Sequence, residues 1–195
     1  MMSEVDELIV ASDWCDAVPR ALEYSVVHAR GIPHRAVHVE VWQGERLLIW
    51  SRSDGKVELP GGHVRWRGEG PEPLDEAAAR ELLEELGESD AAVRQHLARV
   101  RAGLRLVATC FNQSMGGVNN EWVSVYRIAA ESLPVAPALA RPGVLSADGN
   151  RDPRWWSVAA IREFAEREPL ALASSLKLLL ERQRPRSVSP LQERP

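Results

Sequence analysis

The run Arg80-Glu81-Leu82-Leu83-Glu84-Glu85-Leu86-Gly87 decides how this chain is read, because it sets three carboxylates on one face of a helix. With Glu81 as zero and about 100° per residue, Glu85 falls near +40° and Glu84 near -60°. Leu82, Leu86, Ala79 and Leu83 fall at roughly 100° to 200°, opposite the acids. One stripe suits a core and the other gathers negative charge. By itself the pattern also fits a solvated acidic face, steadied by pairs such as Arg80 with Glu84 one turn on. Three close carboxylates repel one another and raise one another's pKa unless a cation intervenes. Oxygen-only ligands of this kind suit hard cations, Mg2+ or Mn2+.

The signals around this run predict a helix over Pro73 to Leu86: proline in its first turn, Asp75 and Glu76 at its positive end, Gly87 at its stop. Upstream lies a polar loop from His63 to Glu72, preceded by a short strand, Val57 to Leu59, and the turn Pro60-Gly61-Gly62. Ala36 to Trp42 alternates and Glu45 to Ser51 follows, with Gln43-Gly44 as the hairpin turn between them. Downstream, strands are predicted within Val100 to Phe111 and Glu121 to Ala130, joined by the turn-rich stretch NQSMGGVNN. A proline-bearing connection runs from Pro134 to Pro153, and Val158 to Glu166 and Ala171 to Gln183 read as closing helices. This order implies an α/β/α sandwich around a mixed β-sheet. It forms a single domain over 1–183 with an N-terminal extension of about 1–33, and 184–195 has the composition of a disordered tail.

At 195 residues, 45% hydrophobic and 27% charged, the chain suits one globular domain. A net charge of -4 lacks the overall basic signature of a binder of nucleic-acid polymer. Cys15 and Cys110 have no metal-ligand spacing and no disulfide framework, which points to two free thiols in a reducing compartment. The N-terminus has acids where a signal peptide needs basic residues, and no stretch approaches the roughly 18 apolar residues of a membrane helix. The expected setting is cytoplasmic, with no membrane partner. A homodimer, the commonest assembly of soluble oligomers, is left open.

The spacing around the acidic run resembles the Nudix box, G-x5-E-x7-R-E-U-x-E-E-x-G-U, where U is a bulky aliphatic residue. Glu72, seven residues, then Arg80 to Gly87 match its second half in register, and Leu59-Pro60-Gly61-Gly62-His63-Val64 resembles the strand and turn that enter it. Nine residues rather than five separate Gly62 from Glu72, so either the loop carries an insertion or Gly68-Glu69 is the family's Gly-Glu pair. The last U position is Glu88. The resemblance implies a hydrolase that uses Mg2+, or Mn2+, to break a diphosphate linkage in a nucleoside diphosphate joined to another group, a small-molecule substrate. It implies Glu84 and Glu85 as metal ligands and Glu81 as a ligand or base. The carbonyl of Gly61 or Gly62 would complete the shell, and Arg80 would orient a glutamate. The same scaffold could instead serve as a non-catalytic nucleotide or metabolite sensor.

Outside the box, Glu121 opens a strand where similar proteins supply a further acid as ligand or proton acceptor. Its alternative is an exposed strand-end acid. His34 and His63, with Glu121, resemble the metal-binding set of the isopentenyl-diphosphate-isomerase branch. That isomerase needs a cysteine where this chain has Gly61. Both histidines read more readily as structural or exposed. In the inserted loop, Trp66 suits stacking on a base or ordinary packing, and Arg65 and Arg67 suit phosphate or a plain charged surface.

Overall fold

The computed structural model describes residues 7–51, 55–113, 119–134 and 152–183. In chain order these form β1 (Leu8–Ala11), β2 (Arg20–Glu23), α1 (Tyr24–Ala29), β3 (His34–Gln43), β4 (Arg46–Ser51), β5 (Val57–Glu58) and β6 (Gly61–His63). There follow β7 (Trp66–Arg67), β8 (Gly70–Pro71), α2 (Leu74–Glu85), α3 (Asp90–Gly103), β9 (Arg105–Gln113), β10 (Asn120–Ala129), β11 (Asp152–Ser157), α4 (Val158–Arg167) and α5 (Ser174–Arg182).

Strand β3 is the hub of a mixed sheet. It runs parallel to β10 along most of its length and antiparallel to β6, β4 and, through Ala11 opposite His34, β1. β10 in turn pairs antiparallel with β9, and β4 with β11. The alternation of β3 explains the layers. Val37, Val39 and Val41 point into a core with Leu82, Leu83 and Ala77 to Ala79 of α2. Each leucine buried there contributes about 1.5–3 kcal/mol. In β4, Leu48 and Trp50 join that core, while Leu47 and Ile49 face the other way and pack with Ile161, Leu176 and Leu179 of α4 and α5. Helices α2 and α3 thus cover one face and α4 and α5 the other, the α/β/α sandwich expected.

Several boundaries differ from the sequence reading. Val100 is not in a strand: Asp90 to Gly103 is a helix, started by Ser89, whose hydroxyl accepts from the Ala92 amide, and packed on α2. The hairpin turn is Gly44-Glu45, one residue later than expected, because Gly44 takes the left-handed φ of +57°. The loop from His63 to Glu72 contains the small hairpin β7–β8, turning at Gly68 (φ +57°). The stretch before residue 34 holds β1, β2 and α1, and β1 is paired to the main sheet. Gly87, at φ +80°, ends α2 as its position implied. Most of the Pro134–Pro153 connection and the tail from 184 lie outside the described residues. No helix among the described residues is long and apolar enough to cross a membrane.

Candidate active site

The acidic face of α2 is organised by one arginine. Arg80 is buried, and its guanidinium donates to Glu72 (2.5 and 3.2 Å), Glu81 (2.7 Å), Glu84 (3.0 Å) and the carbonyl of His63 (2.9 Å). Burial opposes its charge, but the hydrogen bond to Glu72 and the surrounding carboxylates outweigh it and hold the guanidinium above its ordinary pKa. Glu72 is fully enclosed and also accepts from the Arg65 amide (2.8 Å), whereas Glu69 is exposed in the β7–β8 hairpin. Of the two alternatives for the box's first acid, Glu72 is the one joined to Arg80.

The three box glutamates have different surroundings. Glu85 accepts from the indole of buried Trp50 (2.8 Å) and the Gly61 amide (3.0 Å). Glu84 accepts from Arg80 and from both terminal nitrogens of Arg65 (3.0 and 3.3 Å), which also pairs with Glu7. Glu81 lies against β6. A Cβ built on Gly62 would sit within 2.8 Å of all its carboxyl atoms. Burial pushes the Glu81 carboxyl above its usual pKa, against the pull of Arg80.

A second cluster meets the first at β6. His28, His34 and His63 bring one ligand nitrogen each within 4.8 Å of one another. His28 Nε2 and His63 Nε2 are 3.3 Å apart, and the Tyr24 ring covers both at 4.2 and 5.2 Å between centroids. His34 is fully buried. Its Nδ1 lies 2.9 Å from the Ile32 carbonyl, the partner that fixes the tautomer with a lone pair on Nε2. Among the described residues that Nε2 has no hydrogen-bond partner, and it lies 3.9 Å from Glu121 Oε1. Burial, then the neighbouring His34 ring, holds His63 down at about 3, so its imidazole is neutral at ordinary pH. Burial alone would raise Glu121, but the neighbouring His38 and hydrogen bonds from Asn119 and Asn112 keep it below its usual pKa. Three imidazole rings, one backed by a carbonyl, beside a carboxylate are a donor set suited to a divalent metal.

Both clusters line one cavity of about 1310 Å³, which also reaches Gly61, Gly62, Arg65, His38, Asn112, Lys56, Lys177 and Ser174. Thus Glu81, Glu84, Glu85, Gly62, Glu121, His63 and Arg65 come together there, with His34 behind them. Trp66 and Arg67 are placed elsewhere. The Trp66 ring packs against the main core and its indole donates to the Gly68 carbonyl, while Arg67 pairs with Glu72 and Glu76. The sequence reading missed His28, carried by α1 within what was taken as an extension. The spacing His28-x5-His34 matches no ligand pattern, so no local signal marked it.

A family model described as NUDIX domain matches residues 32–176. Among curated proteins, an isopentenyl-diphosphate Delta-isomerase of Cereibacter sphaeroides is 37% identical over 81 residues, covering 38% of this chain and 44% of that protein. The chain thus spans under half the length of this relative. Among solved structures, a protein of Deinococcus radiodurans superposes with a TM-score of 0.57 at 16% identity, over 90% of this chain and 98% of that one. A NUDIX hydrolase from Nitrosomonas europaea gives 0.52 at 16% identity, over 77% and 86%. At such identities these two likenesses show the fold alone.

Proposed function

The chain belongs to the NUDIX domain family, and from that premise we propose that it is a metal-dependent hydrolase of a diphosphate linkage. The substrate class is a small molecule in which a nucleoside diphosphate is joined to another group, and the cofactor Mg2+ or Mn2+. The observation that carries this reading is the meeting of two ligand sets at β6: Glu81 abuts Gly62, and the neighbouring His63 abuts His28, around one cavity.

Glu81, Glu84 and Glu85 would hold a hard cation, and His28, His34, His63 and Glu121 would hold a second cation tolerant of nitrogen ligands. A bound dication neutralises charge on phosphoryl oxygens and acidifies water. The chain's own part is positioning and proton transfer. Arg80 fixes Glu72, Glu81 and Glu84 relative to one another. Glu81 would serve either as a ligand or as the base that takes a proton from the attacking water; Glu121 is the alternative base. Arg65, within the cavity, suits a substrate phosphate.

The test is a mass-spectrometric product screen over nucleoside triphosphates, nucleotide sugars, dinucleoside polyphosphates and dinucleotide cofactors with Mg2+. Glu84→Gln and Glu85→Gln are expected to remove nearly all turnover while leaving the fold intact. Wild-type-like rates in both at saturating Mg2+ would overturn the reading. Binding without any product would favour a sensor.

The matched relative gives the isomerase reading a specific basis. Against it stands position 61. A Cβ there would meet the Val37 carbonyl and lie 2.6 Å from His38 Nδ1, so His38 takes up the room a cysteine would need. Incubation with isopentenyl diphosphate tests this reading directly.

A further inference from the structure

Asn112 lies opposite Glu121 in the β9–β10 ladder, on the wall of the cavity. Its Nδ2 donates to Glu121 Oε2 (3.0 Å) and to Ser174 Oγ (2.8 Å), the first residue of α5. An amide nitrogen has two protons, and these two acceptors use both. The flipped amide would set its carbonyl oxygen against the carboxylate, so the orientation is dictated by charge. With Oε2 held in this way, Glu121 turns Oε1 toward His34 Nε2, at 3.9 Å. We propose that Asn112 is a positioning residue that aims the Glu121 carboxylate into the histidine cluster.

The inference rests on the reading of Glu121 as a ligand beside His28, His34 and His63. It adds the group that sets that ligand's direction and ties it to α5. The other end of α5 is fixed independently, by Arg182 on buried Glu40. Loss of Asn112 therefore leaves the helix docked through Leu176 and Leu179. A purely structural link between β9 and α5 makes a different prediction. Asn112→Asp keeps the shape, and the Ser174 hydroxyl can donate to the new carboxylate, so the tie to α5 survives. The same change removes the Asn112 hydrogen bond to Glu121, leaving the one from Asn119, and sets two carboxylates side by side.

The experiment measures Mn2+ affinity of the full chain by titration, together with the thermal melt of each metal-free variant. Partners that orient metal ligands change affinity by about 10–100-fold when removed, and that loss is expected for Asn112→Ala; in Asn112→Asp the added carboxylate attracts the cation and offsets part of it. Ser174→Ala is expected to stay within about threefold, since it leaves the bond to Glu121 in place. If Asn112→Asp does not fold, Asn112→Ala carries the test. Loss of affinity in Glu121→Gln with wild-type affinity in both Asn112 variants would overturn the inference and leave Glu121 as a ligand. Wild-type affinity in Glu121→Gln itself would overturn the underlying reading, and the inference with it.

Discussion

Gly62→Ala isolates what the Gly-Gly turn does for the acidic helix. Gly62 does not have the left-handed φ that would demand glycine, so an alanine can adopt its backbone. What alanine lacks is room. Its methyl would fall within 2.8 Å of Glu81 Cδ, Oε1 and Oε2, where ordinary contacts begin near 3.4 Å. The carboxylate must retreat on the order of 1 Å, a misplacement that costs about 10²-fold in rate when the group belongs to the reacting constellation. Because the obstructing atoms end a flexible side chain beside an open cavity, folding should hardly suffer; a stability change within about 1 kcal/mol is expected. The assay is steady-state hydrolysis of the substrate found in the product screen, at saturating Mg2+, alongside urea unfolding. A kcat within threefold of wild type would refute the reasoning, since it would mean that Glu81 does not need its place against β6. A large loss of stability would refute it differently, by showing a backbone role for the glycine.

Other outcomes follow from the same contacts. Arg80→Ala leaves enclosed Glu72 with only the half-exposed Arg67 and the Arg65 amide as partners, and should cost up to about 3–5 kcal/mol in urea unfolding, because the buried partner of a buried charge is removed; a change below about 1 kcal/mol would contradict the burial of the Arg80–Glu72 pair. Gly61→Cys should lower the melting temperature and yield no isomerase activity, since the added side chain meets the Val37 carbonyl and His38; turnover of isopentenyl diphosphate by this variant would reverse the judgement against that reaction. Thiol labelling should show a fast exposed Cys15 and a slow Cys110. Burial raises the Cys110 pKa, so its thiolate fraction at neutral pH is reduced and its labelling should accelerate as pH rises. Equal rates at pH 7 would be inconsistent with this environment.

How much was legible depended on whether a signal was local. Helix α2 was readable because its periodicity, its acidic first turn and Gly87 all lie within a few residues of one another. Helix α3 carried equally local signals, Ser89 as cap and Val93, Leu97 and Val100 at helical spacing. They were obscured because its end, Val100 to Gly103, runs almost directly into the strand at Arg105. Strands β1 and β2 are four residues each, too short for alternation to stand out. His28 was illegible for a non-local reason. Its value comes from α1 seating it against His63, 35 residues away, and no spacing rule within either segment states that meeting.

Strand β3 shows the limit most clearly. Its alternation told which residues share a face, and the valines went to the core as period two requires. For the opposite face, His34, Ala36, His38 and Glu40, the same rule would suggest solvent. Instead His34 and Glu40 are fully buried, because α1, just upstream, covers the one and α5, from the far end of the chain, covers the other. Burial changes what those residues require, since a polar group away from water needs a partner. At the Glu40 end the chain supplies them: Arg127 at 2.7 Å, Arg182, and the Trp42 indole at 3.1 Å. At the His34 end the groups that converge are three imidazoles and the Glu121 carboxylate, lone-pair donors whose natural complement is a cation bound from outside. Two ends of one strand face are thus completed differently, one by arginines of the chain and the other, in the function proposed, by metal. That difference lies in which elements fold over the strand, and so it could not be read from the strand alone.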